Sequence, residues 1–167
     1  MQSHVGSGLI LSGVQDPSIF PESLQPACRP PGFLDSLPKS RVLLLDPKAE
    51  KELSPEDALE FDYFLFGGIL GDDPPRDRTG ILRKQGFEGR HLGPVQMPTD
   101  HAVLFSQATC QGNVPVATID SPEFSLGKGE SVSIPMRFVI NPLTKQPYLA
   151  PGLADLLRKQ NDEAFEL

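Results

Sequence analysis

Two short apolar runs organise the chain. Arg41 to Asp46 reads RVLLLD, a strand-length aliphatic run closed by Asp46-Pro47, and it predicts a buried strand. Phe61 to Phe66 reads FDYFLF, long enough for a second strand buried on both faces, and the pair Gly67-Gly68 stops it at once. Between them, Ser54, Pro55 and Asp57 announce a short helix. Ser54 would be the cap and Pro55 the first helical residue. Asp57 would lie at the third position, where the reach-back of a capping box is weaker than from Glu. After the second run, Arg78 to Gln85 predicts a short helix with Ile81 and Leu82 as its apolar side and Gly86 as its stop.

Further on, Arg90 to Leu92 reads as a short strand and Gly93-Pro94 forces a turn. Pro98-Thr99-Asp100 opens a longer helix with Thr99 as cap. Ala102, Val103, Leu104, Phe105 and Ala108 fill it, and Gly112 and Pro115 end it. Val116 to Ile119, Val132 to Ile134 and Met136 to Ile140 are strand-like, with a polar turn at Gly127 to Gly129 and another between Pro142 and Pro147. A last helix starts at Pro151 with Leu153, Leu156 and Leu157 on its apolar face. Leu9 to Leu11 is expected as a short strand. Gln15 to Ser40 carries five prolines between Pro17 and Pro31 and no period. It is expected as a long loop, either mobile or packed by Phe20, Leu24 and Phe33, with one helical turn near Phe33 to Leu37. Strands alternating with short helices predict an α/β fold with a mostly parallel sheet, in one domain spanning residues 1–167, of which 1–40 are irregular.

Composition narrows the function classes. The formal charge is −7, from 15 Lys and Arg against 22 Asp and Glu, which argues against broad binding of a nucleic-acid backbone and suits a basic protein partner. Pro, at 18 residues, is roughly twice its usual share of ~5%. No window approaches the roughly 20 apolar residues of a membrane span, and no basic-then-apolar leader is visible at the N-terminus. Cys28 and Cys110, without a CxxC spacing or nearby histidines, read as reduced thiols of an intracellular, cytoplasmic protein. His4, His91 and His101 lack a second strong ligand at metal spacing, so no metal site is expected, and His91 beside Arg90 reads as a loop or strand-end residue.

The chemistry concentrates in Phe61 to Thr79, FDYFLFGGILGDDPPRDRT. Glycines at a strand's carboxyl end let the backbone come close to a ligand, prolines stiffen the loop beyond them, and this is where open α/β sheets bind. The stretch GGILGD lacks the Lys of a phosphate-cradling loop, and its acidic residues would repel phosphate. A ligand with an adenine, a ribose and a positive centre fits better, with Asp72, Asp73 and Asp77 as acceptors for ribose hydroxyls or partners for a cation; S-adenosylmethionine has that character. A second loop, LGPVQMP, offers backbone groups, Gln96 and Met97 for an adenine, although a methionine there is more often a core residue than a cofactor contact. Glu123, locked by Pro122 beyond a strand, is a third candidate or an ordinary turn residue.

FDYFLFGGILGDDPPRDRT, RHLGPVQMPTDHAV and IDSPEF, with LLLDPKA and LAPGLADLLRK, resemble the SPOUT-class protein arginine methyltransferase family, whose fungal member modifies a small-subunit ribosomal protein. The resemblance covers about Val42 to Lys159. It implies a SPOUT-type α/β fold with a C-terminal trefoil knot that binds S-adenosylmethionine among the knot loops. It also implies methyl transfer to an arginine of a basic ribosomal protein; the charge balance adds the expectation of no stable nucleic-acid binding, and a monomer is one oligomeric state left open. Carried over by position, the first cofactor loop runs from Phe66 through Gly67, Gly68, Leu70 and Gly71 to Asp72. Leu92, Gly93, Gln96 and Met97 line the second, and Pro122 to Phe124 border the cleft. A family-like first strand and helix before Leu9 are not evident, so the N-terminus reads as shortened.

Arginine's pKa exceeds about 12, so a carboxylate near the substrate can orient the guanidinium and take its proton; Asp77, Glu123 and Asp72 are the candidates. Two other readings compete. An RNA-methylating SPOUT relative would need a basic face, and a non-catalytic cofactor-binding or scaffold protein would result from an incomplete sheet.

Overall fold

The structure is a computed structural model that describes residues 8–67, 77, 79–127, 130–153, 155, 156 and 159. The chain forms two compact units, Met1–His91 and Leu92–Leu167.

In the first unit a parallel three-stranded sheet has the order β2-β1-β3, with β1 at Val42–Leu45, β2 at Tyr63–Phe66 and β3 at Glu88–Arg90. The whole of β1 is buried, as an aliphatic run flanked by a strand on each side requires. Val42 and Leu44 face Phe87, and Leu34, Leu37, Tyr63, Leu65 and Leu82 close around them. β2 is half-buried at every position rather than buried on both faces, because it pairs only with β1 in this sheet. β3 lies two residues earlier than the apolar spacing of Arg90 to Leu92 predicts. Its register is set by Leu43↔Glu88 and Leu45↔Arg90, and His91 makes a separate bridge to Glu52.

Leu9 to Leu11 is not a strand. Leu11 makes one bridge to Cys28, with backbone bonds to Ala27 and Arg29 on either side. The proline-rich stretch is a series of single 3-10 turns, at Pro17–Ile19, Gln25–Ala27, Phe33–Ser36 and Lys39–Arg41. Leu34 and Leu37 from this stretch pack on the Val42, Leu44 and Phe87 cluster; Phe20, Leu24 and Phe33 are half-buried, and Phe33 lies under the Arg29 guanidinium.

Helix α1 is only Asp57–Glu60, and no side chain caps it. The Ser54 N–H donates to Asp57 Oδ2 at 2.9 Å, so the reach-back half of the capping box forms, and Asp serves for it. Asp57 is also the partner of Arg90. The Arg90 Nε and Nη2 both lie 2.9 Å from Asp57 Oδ1, Nη1 donates to Glu88 and to the Gly89 carbonyl, and the guanidinium stands over the Phe61 ring. With the side chains 8% and 5% exposed, this is a buried ion pair between β3 and α1. Helix α2, Gly80–Lys84, is shorter than predicted. Leu82 packs on the core, whereas Ile81 is exposed.

The end of β1 is held by a second pair. Asp46, 3% exposed, accepts from the Lys48 N–H at 3.0 Å, the Thr79 hydroxyl at 3.1 Å and Arg83 Nη2 at 2.8 Å, while Arg83 Nε donates to its other oxygen. Burial alone would raise the Asp46 pKa; Arg83, the Lys48 N–H and Thr79 together outweigh it and hold the carboxyl below its ordinary value.

In the second unit, α3 spans Thr99–Cys110. Pro98 rather than Thr99 stands at its N-cap, and Asp100 Oδ1 accepts the His101 N–H. Its buried face is His101, Val103, Ser106 and Thr109, and only Val103 of these belongs to the apolar set named from the sequence. His101 explains part of this. It is 2% exposed, its Nδ1 accepts the Val139 N–H at 2.9 Å, and its ring meets Phe138 edge-on at 4.5 Å.

Two antiparallel ladders complete this unit. β4, Thr118–Asp120, pairs with β7, Arg137–Val139; β5, Glu123–Gly127, pairs with β6, Glu130–Ser133. The parallel part of the architecture is therefore the first unit's sheet, and β4 and β7 do not extend it as parallel strands. β5, EFSLG, alternates Phe124 and Leu126 with polar residues and is one strand more than the sequence reading expects. It forms because Phe124 pairs with Val132 and meets the Phe138 ring. The turn between Pro142 and Pro147 is as expected, with Asn141 accepting the Leu143 N–H and a bridge from Ile140 to Pro147. Of the last helix's apolar face, Leu156 is exposed and Leu157 lies outside the described residues. Among the described residues, no helix is long and apolar enough to cross a membrane.

Two measurements test the ion pairs. Arg90→Met leaves Asp57 buried beside an apolar neighbour and should lower unfolding stability by about 3–5 kcal/mol in urea; a loss below ~1 kcal/mol would mean that Asp57 finds other partners. Asp46 carries a lowered native pKa. Its stabilisation is complete above the ordinary carboxyl value of 3.8 and is lost as pH falls through its native value. The melting temperature of the natural chain should therefore drop more steeply on acidification below about pH 4 than that of Asp46→Asn. Parallel profiles for the two would remove Asp46 from the acid response.

Candidate functional site

The first candidate loop leaves the sheet at Phe66 and Gly67, both half-buried at the carboxyl end of β2. A Cβ on Gly67 would stand 2.9 Å from Thr79 Cγ2, so no side chain fits without displacing Thr79. Thr79 cannot easily move, because its hydroxyl lies 3.1 Å from Asp46 Oδ1 and 3.2 Å from Asp77 Oδ1. Gly68, Leu70, Gly71 and Asp72 lie outside the described residues.

Asp77 joins the Asp46 network from outside. Its Oδ2 accepts from Lys48 Nζ at 2.9 Å and Arg83 Nη1 at 3.1 Å, and Oδ1 accepts from Arg83 Nη2 at 3.2 Å. The Arg83 guanidinium and then the Lys48 ammonium hold its carboxyl far below the usual carboxylate range, and the two aspartates raise the Arg83 pKa in turn. The structure thus brings Gly67, Thr79 and Asp77 together around Asp46 and Arg83. Neither Asp46 nor Arg83 stands out in the sequence: they are 37 positions apart, and only the parallel pairing of β1 with β2 and β3 draws α2 toward the end of β1.

The second candidate loop, Leu92 to Met97, belongs to the other unit. Gly93 takes a φ of +97°, which L side chains rarely adopt, and a Cβ there would lie 2.8 Å from Arg137 Nη1. The Gln96 carbonyl accepts the Arg137 N–H at 2.8 Å. Leu92 and Gln96 are half-buried, Pro94 is exposed, and Met97 is 4% exposed and so sits in the core. Arg137 is fastened by a fork to Asp120, with Nε to Oδ1 at 2.6 Å and Nη2 to Oδ2 at 2.9 Å. The chain then turns at Ser121, whose φ is +49°, and buried Pro122 leads into Glu123, exposed as the first residue of β5. Within this unit one arginine therefore contacts both Gly93 and Gln96 and pairs with the aspartate three residues before Glu123. Its side of the strand alternation is readable from Met136 to Ile140, but its partners are not.

Taken each by itself, the first loop offers Gly67, where a side chain would meet Thr79, and the second offers backbone groups beside Gly93 at positive φ. The second adds the half-buried Leu92 and Val95 as apolar cover. Such a donor set suits an adenosyl group without phosphate, held by main-chain hydrogen bonds and apolar contact.

The family described as SFM1-like protein arginine N-methyltransferase matches residues 31–164. Protein arginine N-methyltransferase SFM1 of Saccharomyces cerevisiae is 42% identical over 139 residues, which cover 80% of this chain and 65% of the relative. The chain thus spans just under two thirds of that relative's length. The yeast arginine methyltransferase SFM1 in complex with SAM superposes with a TM-score of 0.83 at 36% identity, over 95% of this chain and 80% of that one. Its complex with SAH gives the same TM-score and identity, over 93% and 84%. The complex with MTA gives 0.79 at 33% identity, over 93% and 88%. The SPOUT-type α/β fold implied by the resemblance is the fold of these structures, and the chain belongs to the SFM1-like protein arginine N-methyltransferase family.

Proposed function

We propose that the chain transfers a methyl group from S-adenosylmethionine to an arginine side chain of a basic protein of the small ribosomal subunit, in the cytoplasm. The observation that carries this is the match, at 36% identity over 95% of the chain, to an arginine methyltransferase captured with SAM. Captures of the same yeast enzyme with SAH and MTA support an adenosyl-thioether site. The cytoplasmic assignment rests on the ribosomal partner and on two cysteines that form no disulfide.

Phe66, Gly67 and the loop on to Asp72 would contribute to holding the cofactor, as would Leu92, Gly93, Gln96 and the edge of Met97. When bound, the cofactor supplies an electrophilic methyl group on a sulfonium. The chain's own residues must hold the substrate guanidinium in line with it and accept the proton that the guanidinium loses as its nitrogen gains carbon. Asp77 is poorly suited to that second task, since Arg83 and Lys48 already stabilise its ionised form. It serves instead to fix Thr79 against Gly67. Glu123, exposed on the rigid Ser121-Pro122 turn, is the described carboxylate placed to pair with a guanidinium and pass its proton to water. Asp72 remains a second candidate beside it.

Calorimetry with SAH should give saturable binding, and tritium from labelled cofactor should enter a small-subunit ribosomal protein when whole subunits are the substrate. Label in ribosomal RNA alone would transfer the chain to the RNA-methylating reading, against its net charge of −7. Saturable binding with no transfer to either would favour the non-catalytic one.

The two carboxylates separate by variant. Glu123→Gln should cut methyl transfer by roughly a hundredfold, the usual scale for a positioned base, and leave SAH affinity within about threefold. Asp77→Asn should lower the melting temperature and weaken cofactor binding together. The reverse pattern would exchange their roles.

A further inference from the structure

We propose that Arg137 is a positioning residue for the second cofactor loop, its side chain backing Gly93 and its backbone holding Gln96 so that Leu92 to Met97 keeps its binding shape. This role presupposes that the chain binds S-adenosylmethionine through that loop.

Two contacts that hold the loop fall on this one residue. At Gln96 the carbonyl is taken by the Arg137 N–H at 2.8 Å, which fixes the loop to the start of β7. At Gly93 the guanidinium occupies the space where a Cβ would otherwise be, 2.8 Å from that position. A left-handed backbone at φ +97° exposes the glycine's bare face, and the planar guanidinium lies against it.

The guanidinium itself is immobilised. Asp120 is the directly opposite residue in the β4–β7 ladder, and its carboxylate takes Nε and Nη2 in a two-bond fork. The Ser121 N–H bonds to the Met136 carbonyl at 2.9 Å, so the strand ends that carry the pair are also joined.

Stability does not account for this arrangement. The Asp120 side chain is 48% exposed, and partly exposed ion pairs contribute about 0–1 kcal/mol at most. Arg137 is only 19% exposed, and what covers it includes the Gly93 face of the loop. A fork rather than a point charge is needed for this: two bonds to Asp120 set the plane, which leaves the third nitrogen, Nη1, aimed at Gly93. Lysine would keep the charge and lose the plane.

The test uses the full chain with Arg137→Lys, Arg137→Met, Asp120→Asn and the double variant Asp120→Asn/Arg137→Met. SAH affinity is read by calorimetry, melting temperature without ligand, and kcat and KM with protein substrate. The expected result is about a tenfold or greater loss of SAH affinity in both Arg137 variants, which is about 1.4 kcal/mol. Asp120→Asn should show a smaller loss in the same direction, and the double variant should be no weaker than Arg137→Met, because the two residues act as one unit. The KM for S-adenosylmethionine should rise while kcat at saturating cofactor stays within about twofold, the signature of lost uniform binding. Melting temperatures should change little.

SAH affinity equal to the natural chain's in the Arg137 variants would overturn the inference, as would affinity that falls only where the melting temperature falls. If Arg137→Met does not fold, Arg137→Lys and Asp120→Asn, which keep side-chain length or shape, decide the question. Failure of the natural chain to bind SAH would instead overturn the functional reading and this inference with it. Binding by the natural chain with unaffected variants would overturn this inference alone.

Discussion

A carboxylate buried at the end of a buried strand has to be paired, and Asp46 sets that condition for the first unit. β1 is apolar along its whole length, so its carboxyl end opens onto a site with little water. An ionised Asp46 is tolerable there only because Arg83, Thr79 and the Lys48 N–H supply four hydrogen bonds between them. Meeting that requirement fixes the start of α2 relative to β1. It places Thr79 where Gly67 leaves β2, and it leaves the outer nitrogens of Arg83 available to Asp77. The geometry around the first candidate loop is thus a consequence of satisfying one buried charge.

Much of this unit was legible because burial and sequence pattern coincide in it. The Val42 to Leu45 run could only be an interior strand, and the glycines after Phe66 could only end one. What escaped was whatever depends on a partner. β2 reads as apolar enough for an interior strand, yet it is half-buried because only β1 pairs with it in the described sheet. β3 contains Glu, Gly and Arg, residues with little strand preference, and it is a strand because β1 offers a free edge and Arg90 finds Asp57. The two ion pairs join residues 37 and 33 positions apart, a separation at which no local period carries information.

The second unit was less legible for a different reason. Its longest helix buries a histidine, a serine and a threonine, so an apolar stripe is a poor guide to its inward face. His101 is accommodated by the Val139 N–H and the Phe138 ring, and Phe138 in turn meets Phe124 at 5.4 Å. Those contacts define β5 and β7 more firmly than any strand propensity in their sequences. Of the candidate site, Gly67, Gly93 and the exposed Glu123 stand out in the sequence by residue type and position. Thr79, Asp46, Arg83 and Arg137 do not, because their role is to hold a neighbour's backbone in place, and that leaves no motif of its own.

The arginine forks also change what the chain's acidity means. Arg83, Arg90 and Arg137 are each turned to an internal aspartate at a strand or helix end. Between them they hold Asp46, Asp77, Asp57, Glu88 and Asp120, so these three guanidinium groups are already occupied while the net charge of −7 is untouched. Fewer cations are left to meet a phosphate backbone than the count of 15 Lys and Arg implies. Under the proposed function, a basic protein approaching such an acidic chain would be drawn in by long-range attraction. Arg83, Arg90 and Arg137 are therefore committed to holding strand and helix ends of this chain in place, which takes three guanidinium groups out of the count that could answer a phosphate backbone.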